Sequence, residues 1–207
     1  MKNVIKILIG IIIFIVLVVA LVFGFIKLKI YMINKEASDT VKDFFEAIEN
    51  KPKNEITEND ENIVIEETVV DIYYHNYRVI GAIEIPSLNL AYPIIEEITE
   101  ESMKKGIVIL YGNNLNDVGN TVLAGHAYLK GTYFSNIENL KNGDKIIITD
   151  LSGKKITYYV YDNFLAESSD SSFYKRDTND LREITLSTCT LVGDKRHIVL
   201  AKENKEI

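Results

Sequence analysis

From Ile7 to Ile26 every residue is apolar or glycine, a run of twenty positions. A helix that is apolar on every side cannot lie on the surface of a water-soluble domain. At 1.5 Å per residue, about 20 such residues cross the roughly 30 Å hydrocarbon core of a bilayer. A cleaved signal peptide is the competing reading. Its apolar region is shorter, about 7–15 residues, and ends at a small-x-small site. Ala20 has no small partner at that spacing and apolar residues continue past it. We expect an uncleaved N-terminal membrane anchor over residues 1–30. Lys2 and Lys6 precede the span, whereas Lys27, Lys29 and Lys35 follow it. Lysine placement therefore does not by itself put the remaining chain outside the cell.

Residues 31–68 read as a juxtamembrane helix followed by an acidic linker. Val41, Phe44, Phe45 and Ile48 recur at helical spacing behind a Ser38/Asp39 cap signal. The expectation is a stalk helix that packs on the domain or lies at the membrane surface. Residues Asn50 to Glu67 are rich in Glu, Asn, Lys and Thr, the composition of a flexible spacer.

Residues 69–207 are long enough for one domain, and their pattern is almost entirely short strands. Apolar runs at Val79–Ile85, Leu88–Ile95, Ile107–Leu110, Thr121–Ala124, Lys145–Thr149, Lys155–Tyr161, Glu183–Cys189 and Arg196–Lys202 are separated by turn signals. Thr99 to Lys105 can form one helical turn, and Tyr133 to Leu140 reads as a short helix. Close strand spacing with few helices predicts a mainly β fold, a closed or nearly closed antiparallel barrel. The net charge of −7 and the lack of basic clusters argue against a nucleic-acid partner.

The chain has one cysteine, Cys189, at the end of Thr185-Leu-Ser-Thr-Cys189. It cannot form an intramolecular disulfide. A turn signal follows at Gly193-Asp194, and Arg196 opens the next strand, so a hairpin would set a thiol beside a guanidinium. A thiol needs a base or electropositive surroundings to act as a nucleophile at neutral pH, and a guanidinium can stabilise an oxyanion. A small buried hydrophobe is the alternative role for a lone cysteine.

The candidate bases are three histidines. His75 lies in the aromatic stretch Tyr73 to Tyr77, a surface or interstrand position. His197 follows Arg196 in a strand, so alternation sends their side chains to opposite faces. His126 stands at a strand end behind Gly125, where catalytic groups collect on rigid scaffolds. Position alone leaves its role open. Zinc is not expected, because the cysteine and histidines show none of the usual ligand spacings.

Ala124-Gly125-His126, then Thr185-Leu186-Ser187-Thr188-Cys189, then Arg196, resemble the sortase signature in order and spacing. Sortases are membrane-anchored cysteine transpeptidases of Gram-positive bacteria. The resemblance runs from about Tyr77 to Lys202 and includes Ile83-Glu-Ile-Pro86 and the Phe134 to Gly143 segment. It implies a closed eight-stranded sortase-type β-barrel with short helices, outside the cell membrane, with the N-terminus cytoplasmic. It also implies cleavage of a Leu-Pro-x-Thr-Gly-like sorting signal on surface proteins between Thr and Gly, and transfer to an amine such as that of a cell-wall precursor. On this resemblance Cys189 is the nucleophile that forms a thioacyl intermediate. His126 is the acid, then the base, and Arg196 orients substrate and stabilises the oxyanion. Thr188, Thr190 and Ala124 border the substrate.

A pilin-polymerising member would carry an Asp-Pro-aromatic lid and a second hydrophobic segment. Pro52 instead lies in Lys51-Pro-Lys53, and the chain ends in Lys202-Glu-Asn-Lys-Glu-Ile207. The segment from Ala166 to Arg182 is short and polar. A cell-wall-anchoring member is the preferred reading. The remaining alternatives are a pilin-polymerising sortase, a cysteine hydrolase and a non-catalytic anchored β-domain. No cofactor is required. Calcium is a secondary option through Glu96, Glu97, Glu100, Glu101 and Asp117, with a solvated acidic loop preferred because no dense ligand loop is present.

Overall fold

The computed structural model describes residues 2–50, 71–112, 114–127, 129–190 and 194–203. The linker, Pro52, the turn at residues 191–193 and the last four residues lie outside the described residues.

Helix α1 runs without interruption from Lys2 to Glu49. It contains the expected span, which is long and apolar enough to cross a membrane and has no buried residue in that stretch. The Ser38/Asp39 signal does not begin a new helix. Asp39 instead pairs with Lys35 at 2.9 Å and lies 3.7 Å from Lys42, spacings that support a continuing helix. No glycine or proline occurs between Lys27 and Glu49 to break it. Ala37, Val41 and Phe44 are buried, one helical face pressed on the barrel. Burial of Val41 and Phe44 contributes about 1.5–3 kcal/mol each. The stalk helix thus docks on the domain.

The strands are β1 (Tyr73–Tyr74), β2 (Tyr77–Ile85), β3 (Leu90–Ile95), β4 (Ile107–Tyr111), β5 (Gly119–Ala124), β6 (Lys145–Asp150), β7 (Lys155–Glu167), β8 (Arg182–Cys189) and β9 (Lys195–Glu203). Helix α2 (Glu100–Met103) lies between β3 and β4. The order β1-β2-β3-β4-β5-β8-β9-β7-β6 closes through β2 and β6, so β2 to β9 form the eight-stranded barrel and β1 adds a short hairpin. Closure brings β2 very near β6 at Gly81. A Cβ there would fall 2.7 Å from the Thr149 carbonyl oxygen and 2.3 Å from Leu115, a distance only glycine avoids. Val79, Ile83, Ile94, Leu123, Ile146 and Val199 fill the interior with no exposed surface.

Three details differ from the sequence expectation. The barrel is mixed, because β3 pairs with β4 and β5 with β8 in parallel. Apolar alternation reports which face is buried and is the same for either strand direction. The stretch from Tyr133 to Leu140 forms only a 3-10 turn at Ile137–Asn139. Its buried residues Phe134, Ile137 and Leu140 recur every three positions, the period of that tighter helix. Strand β7 also runs past Tyr161 to Glu167, with a register shift between Val160 and Asp162.

Buried Asn116 ties the end opposite the β5–β8 termini. Its side-chain amide donates to the carbonyl of Lys154 at 2.8 Å and the carboxylate of Asp150 at 3.0 Å. Its side-chain oxygen accepts from the Tyr158 hydroxyl at 3.0 Å, and its backbone carbonyl accepts from Arg182 at 2.8 Å. Asn116 also adopts φ 63°, a conformation Asn tolerates well. Asn116→Ala should therefore destabilise the domain by about 3 kcal/mol, from lost hydrogen bonds and an unpaired buried Tyr158 hydroxyl. Urea unfolding of the two proteins measures this difference.

Candidate active site

Strands β5 and β8 run parallel in register from Gly119 opposite Arg182 to Ala124 opposite Ser187. Two parallel strands end at the same rim of a barrel. His126 lies two residues beyond Ala124, and Cys189 two beyond Ser187, so both arrive at that rim together. The Gly125 amide donates to the Ser187 carbonyl at 3.3 Å. The buried Thr188 hydroxyl donates to the Gly125 carbonyl at 2.7 Å. Gly125 lies so near the Phe134 ring that a Cβ would stand 2.9 Å from it. Strand β9 pairs antiparallel with β8 and sets Arg196 opposite Cys189.

Cys189, His126 and Arg196 line one cleft of about 230 Å³ with Ala124, Thr188, Met103 and Leu110. The thiol is exposed. The walls are otherwise mainly apolar, which suits recognition of apolar side chains around a few polar groups. Burial is the main cause that holds the His126 imidazole below its ordinary pKa of 6.5. The Lys104 ammonium adds to this and the Glu100 carboxylate opposes it. The site therefore favours the neutral form of the imidazole.

Arg196 is held from a segment that sequence reasoning passed over. Its guanidinium donates to the Tyr174 hydroxyl at 2.8 Å. The Tyr174 ring stacks on Tyr111, centroids 6.0 Å apart, and meets Phe173 edge-on at 4.6 Å. Arg176 fixes this turn to the barrel, paired with the Glu183 carboxylate at 2.6 Å and donating to the Phe173 carbonyl and the Thr185 hydroxyl. The stretch read as short and polar therefore carries an aromatic brace. The adjacent Phe173 and Tyr174 were the signal for it.

The other sequence candidates are distributed as follows. Ala124 and Thr188 border the cleft, although the Thr188 hydroxyl is committed across the strands. Thr190 is not among the lining residues, and its hydroxyl donates back to the Lys195 carbonyl at 3.2 Å. His197 faces Thr188 in the sheet and is not at the cleft. His75 occupies the β1–β2 turn, 3.8 Å from Glu36. The acidic residues are not brought into one ligand set. Glu96 pairs with Arg78 at 3.4 Å and Glu100 with Lys104 at 2.9 Å, while Glu97 is exposed and Asp117 accepts from Asn114 at 3.2 Å. Among the described residues no group of three or more His, Cys, Asp or Glu could hold a metal ion.

Comparison with known proteins agrees with this geometry. A family model for the sortase domain matches residues 83–204. Sortase A of Bacillus anthracis is 36% identical over 125 residues, which are 59% of this chain and 58% of that protein. Sortase D of Bacillus subtilis (strain 168) is 29% identical over 128 residues, 59% of this chain and 62% of the relative. The chain thus spans less than two thirds of either relative. Among solved structures, sortase A from Corynebacterium diphtheriae superimposes with a TM-score of 0.56 at 29% identity, covering 63% of each chain. A sortase D5 transpeptidase of Clostridium perfringens shares the fold with a TM-score of 0.61 at 24% identity, over 82% of this chain and 99% of that one. With more than half its length matched by the family model, the chain belongs to the sortase family of cysteine transpeptidases.

Proposed function

We propose that this protein cleaves a Leu-Pro-x-Thr-Gly-like sorting signal between Thr and Gly and transfers the acyl group to an amine of a cell-wall precursor. The observation that carries the reading is the convergence of Cys189, His126 and Arg196 on one cleft. The neutral His126 imidazole takes the Cys189 proton as sulfur attacks the threonine carbonyl. Arg196 stabilises the tetrahedral oxyanion. When the C–N bond breaks, His126 returns the proton to the departing glycine amine, leaving a thioester on Cys189. An incoming amine then gives its proton to His126 and displaces the thiolate, which is reprotonated. The span holds the domain at the cell membrane, with the N-terminus cytoplasmic and the barrel outside, where sorting signals and cell-wall amines meet.

The full chain in lipid nanodiscs, given such peptides with and without an amine acceptor, should form an acyl adduct seen by intact mass. Cys189→Ala should form none, and the acceptor should convert the adduct to an amine-linked product. An adduct that water releases equally fast with or without the acceptor would make the protein a hydrolase instead.

The Tyr174 brace predicts a second result. Tyr174→Phe keeps the stacking and loses the bond to Arg196. Peptide turnover should fall by roughly tenfold or more, since a hydrogen bond to a charged group is worth about 1.5–3 kcal/mol.

The electrostatics of His126 predict a third. Lys104→Met removes a charge that depresses the imidazole pKa, so the acidic limb of turnover should move to higher pH. Glu100→Gln removes a charge that raises it, so the limb should move to lower pH. Rate against pH for the three proteins gives the sign of each shift.

A further inference from the structure

A groove of about 650 Å³ lies between α1 and the barrel, away from the cleft. At one end of it the helix reaches the segment that follows His126. The Asn34 side-chain amide donates to the Gly131 carbonyl at 2.9 Å. Its side-chain oxygen accepts from the buried Tyr92 hydroxyl on β3. Asn34 therefore joins three elements: helix, strand and turn.

The turn it holds is stiff. The Gly131 and Thr132 amides both donate to the Ser135 hydroxyl, at 2.7 and 3.1 Å. The Tyr133 ring packs 5.1 Å from Tyr92. The next residue, Phe134, is fully buried and its amide donates to the His126 carbonyl at 3.2 Å. Its ring fills the space beside Gly125. A displacement of the turn at Gly131 thus reaches the backbone of Gly125 and His126 through one rigid, packed unit rather than a slack loop.

We propose that Asn34 is a positioning residue for His126, so that the membrane-anchoring helix forms part of the active-site scaffold. The link rests on the reading of His126 as the proton-transfer residue. A contact of this kind acts by holding the imidazole at the cleft rim at the correct depth, and it leaves the peptide groove untouched. Its loss should lower turnover without changing peptide affinity.

The test uses the full chain in lipid nanodiscs with ¹³C-labelled histidine, comparing wild type, Asn34→Ala, Asn34→Asp and the exposed control Asp43→Asn. Asn34→Asp keeps an acceptor for Tyr92 and sets a carboxylate against the Gly131 carbonyl, so both Asn34 variants break the link. Lys104, Glu100, Arg196 and Cys189, the charged and titratable groups around His126, are the same in all four proteins. In both Asn34 variants the His126 NMR titration should move up toward its ordinary midpoint as the rim admits water. Adduct formation at saturating peptide should fall roughly five- to tenfold with half-saturation unchanged. Asp43→Asn should match wild type. A His126 titration identical in all four proteins would overturn the proposal, even if turnover fell, because such a loss would be merely structural. An upward shift in proteins that, wild type included, acylate with no sorting peptide would leave Asn34 in its role and refute the transpeptidase reading instead.

Discussion

The site depends on one constraint, the parallel pairing of β5 with β8. Antiparallel neighbours joined by tight turns would leave the ends of these two strands at opposite rims. Parallel pairing puts Gly125-His126 and Thr188-Cys189 side by side, and the Thr188 hydroxyl on the Gly125 carbonyl fixes their offset. Antiparallel β9 then adds Arg196 opposite the cysteine. Cys189 and Arg196 sit on strand ends and His126 two residues past a third, and strand ends are stiffer platforms than loops.

Two supports lie outside that core. Tyr174, braced by Phe173 and Tyr111 and by the Arg176–Glu183 pair, holds the guanidinium. The turn through Gly131 and Phe134 backs the histidine. Each braces a cleft side chain from behind and leaves the mainly apolar cleft open.

Much of this was legible in the sequence. Alternation and turn residues located all eight barrel strands, and the lone cysteine, the histidine after Gly125 and the downstream arginine led to the cleft. Strand direction was not legible, because a buried β residue looks the same in either orientation. Ser38 and Asp39 misled because an acid near lysines serves a helix interior as readily as a cap. Phe134, Ile137 and Leu140 looked helical because a three-residue period is near 3.6 over so short a stretch. Asn34 was missed because it acts across a contact distant in the chain and nothing in its own neighbourhood marks it. Tyr174 was passed over although the aromatic pair with Phe173 stood out in a stretch read as polar. Thr190 was read from its place next to Cys189 alone, whereas its hydroxyl donates back to the Lys195 carbonyl across the hairpin.

The uninterrupted course of α1 has a mechanical consequence. The part of the helix from Lys27 to Glu49 leaves the apolar run directly and docks on the barrel with no break between. With the apolar run set across a bilayer, that run and the barrel would form a single lever, about 34 Å long beyond the membrane at 1.5 Å per residue. Transmembrane helices change tilt when hydrocarbon thickness changes. A tilt change of about 10° would swing the far end of this lever by about 6 Å, more than the roughly 4.8 Å between neighbouring strands. Bilayer thickness would thereby set the angle at which the cleft faces its surroundings.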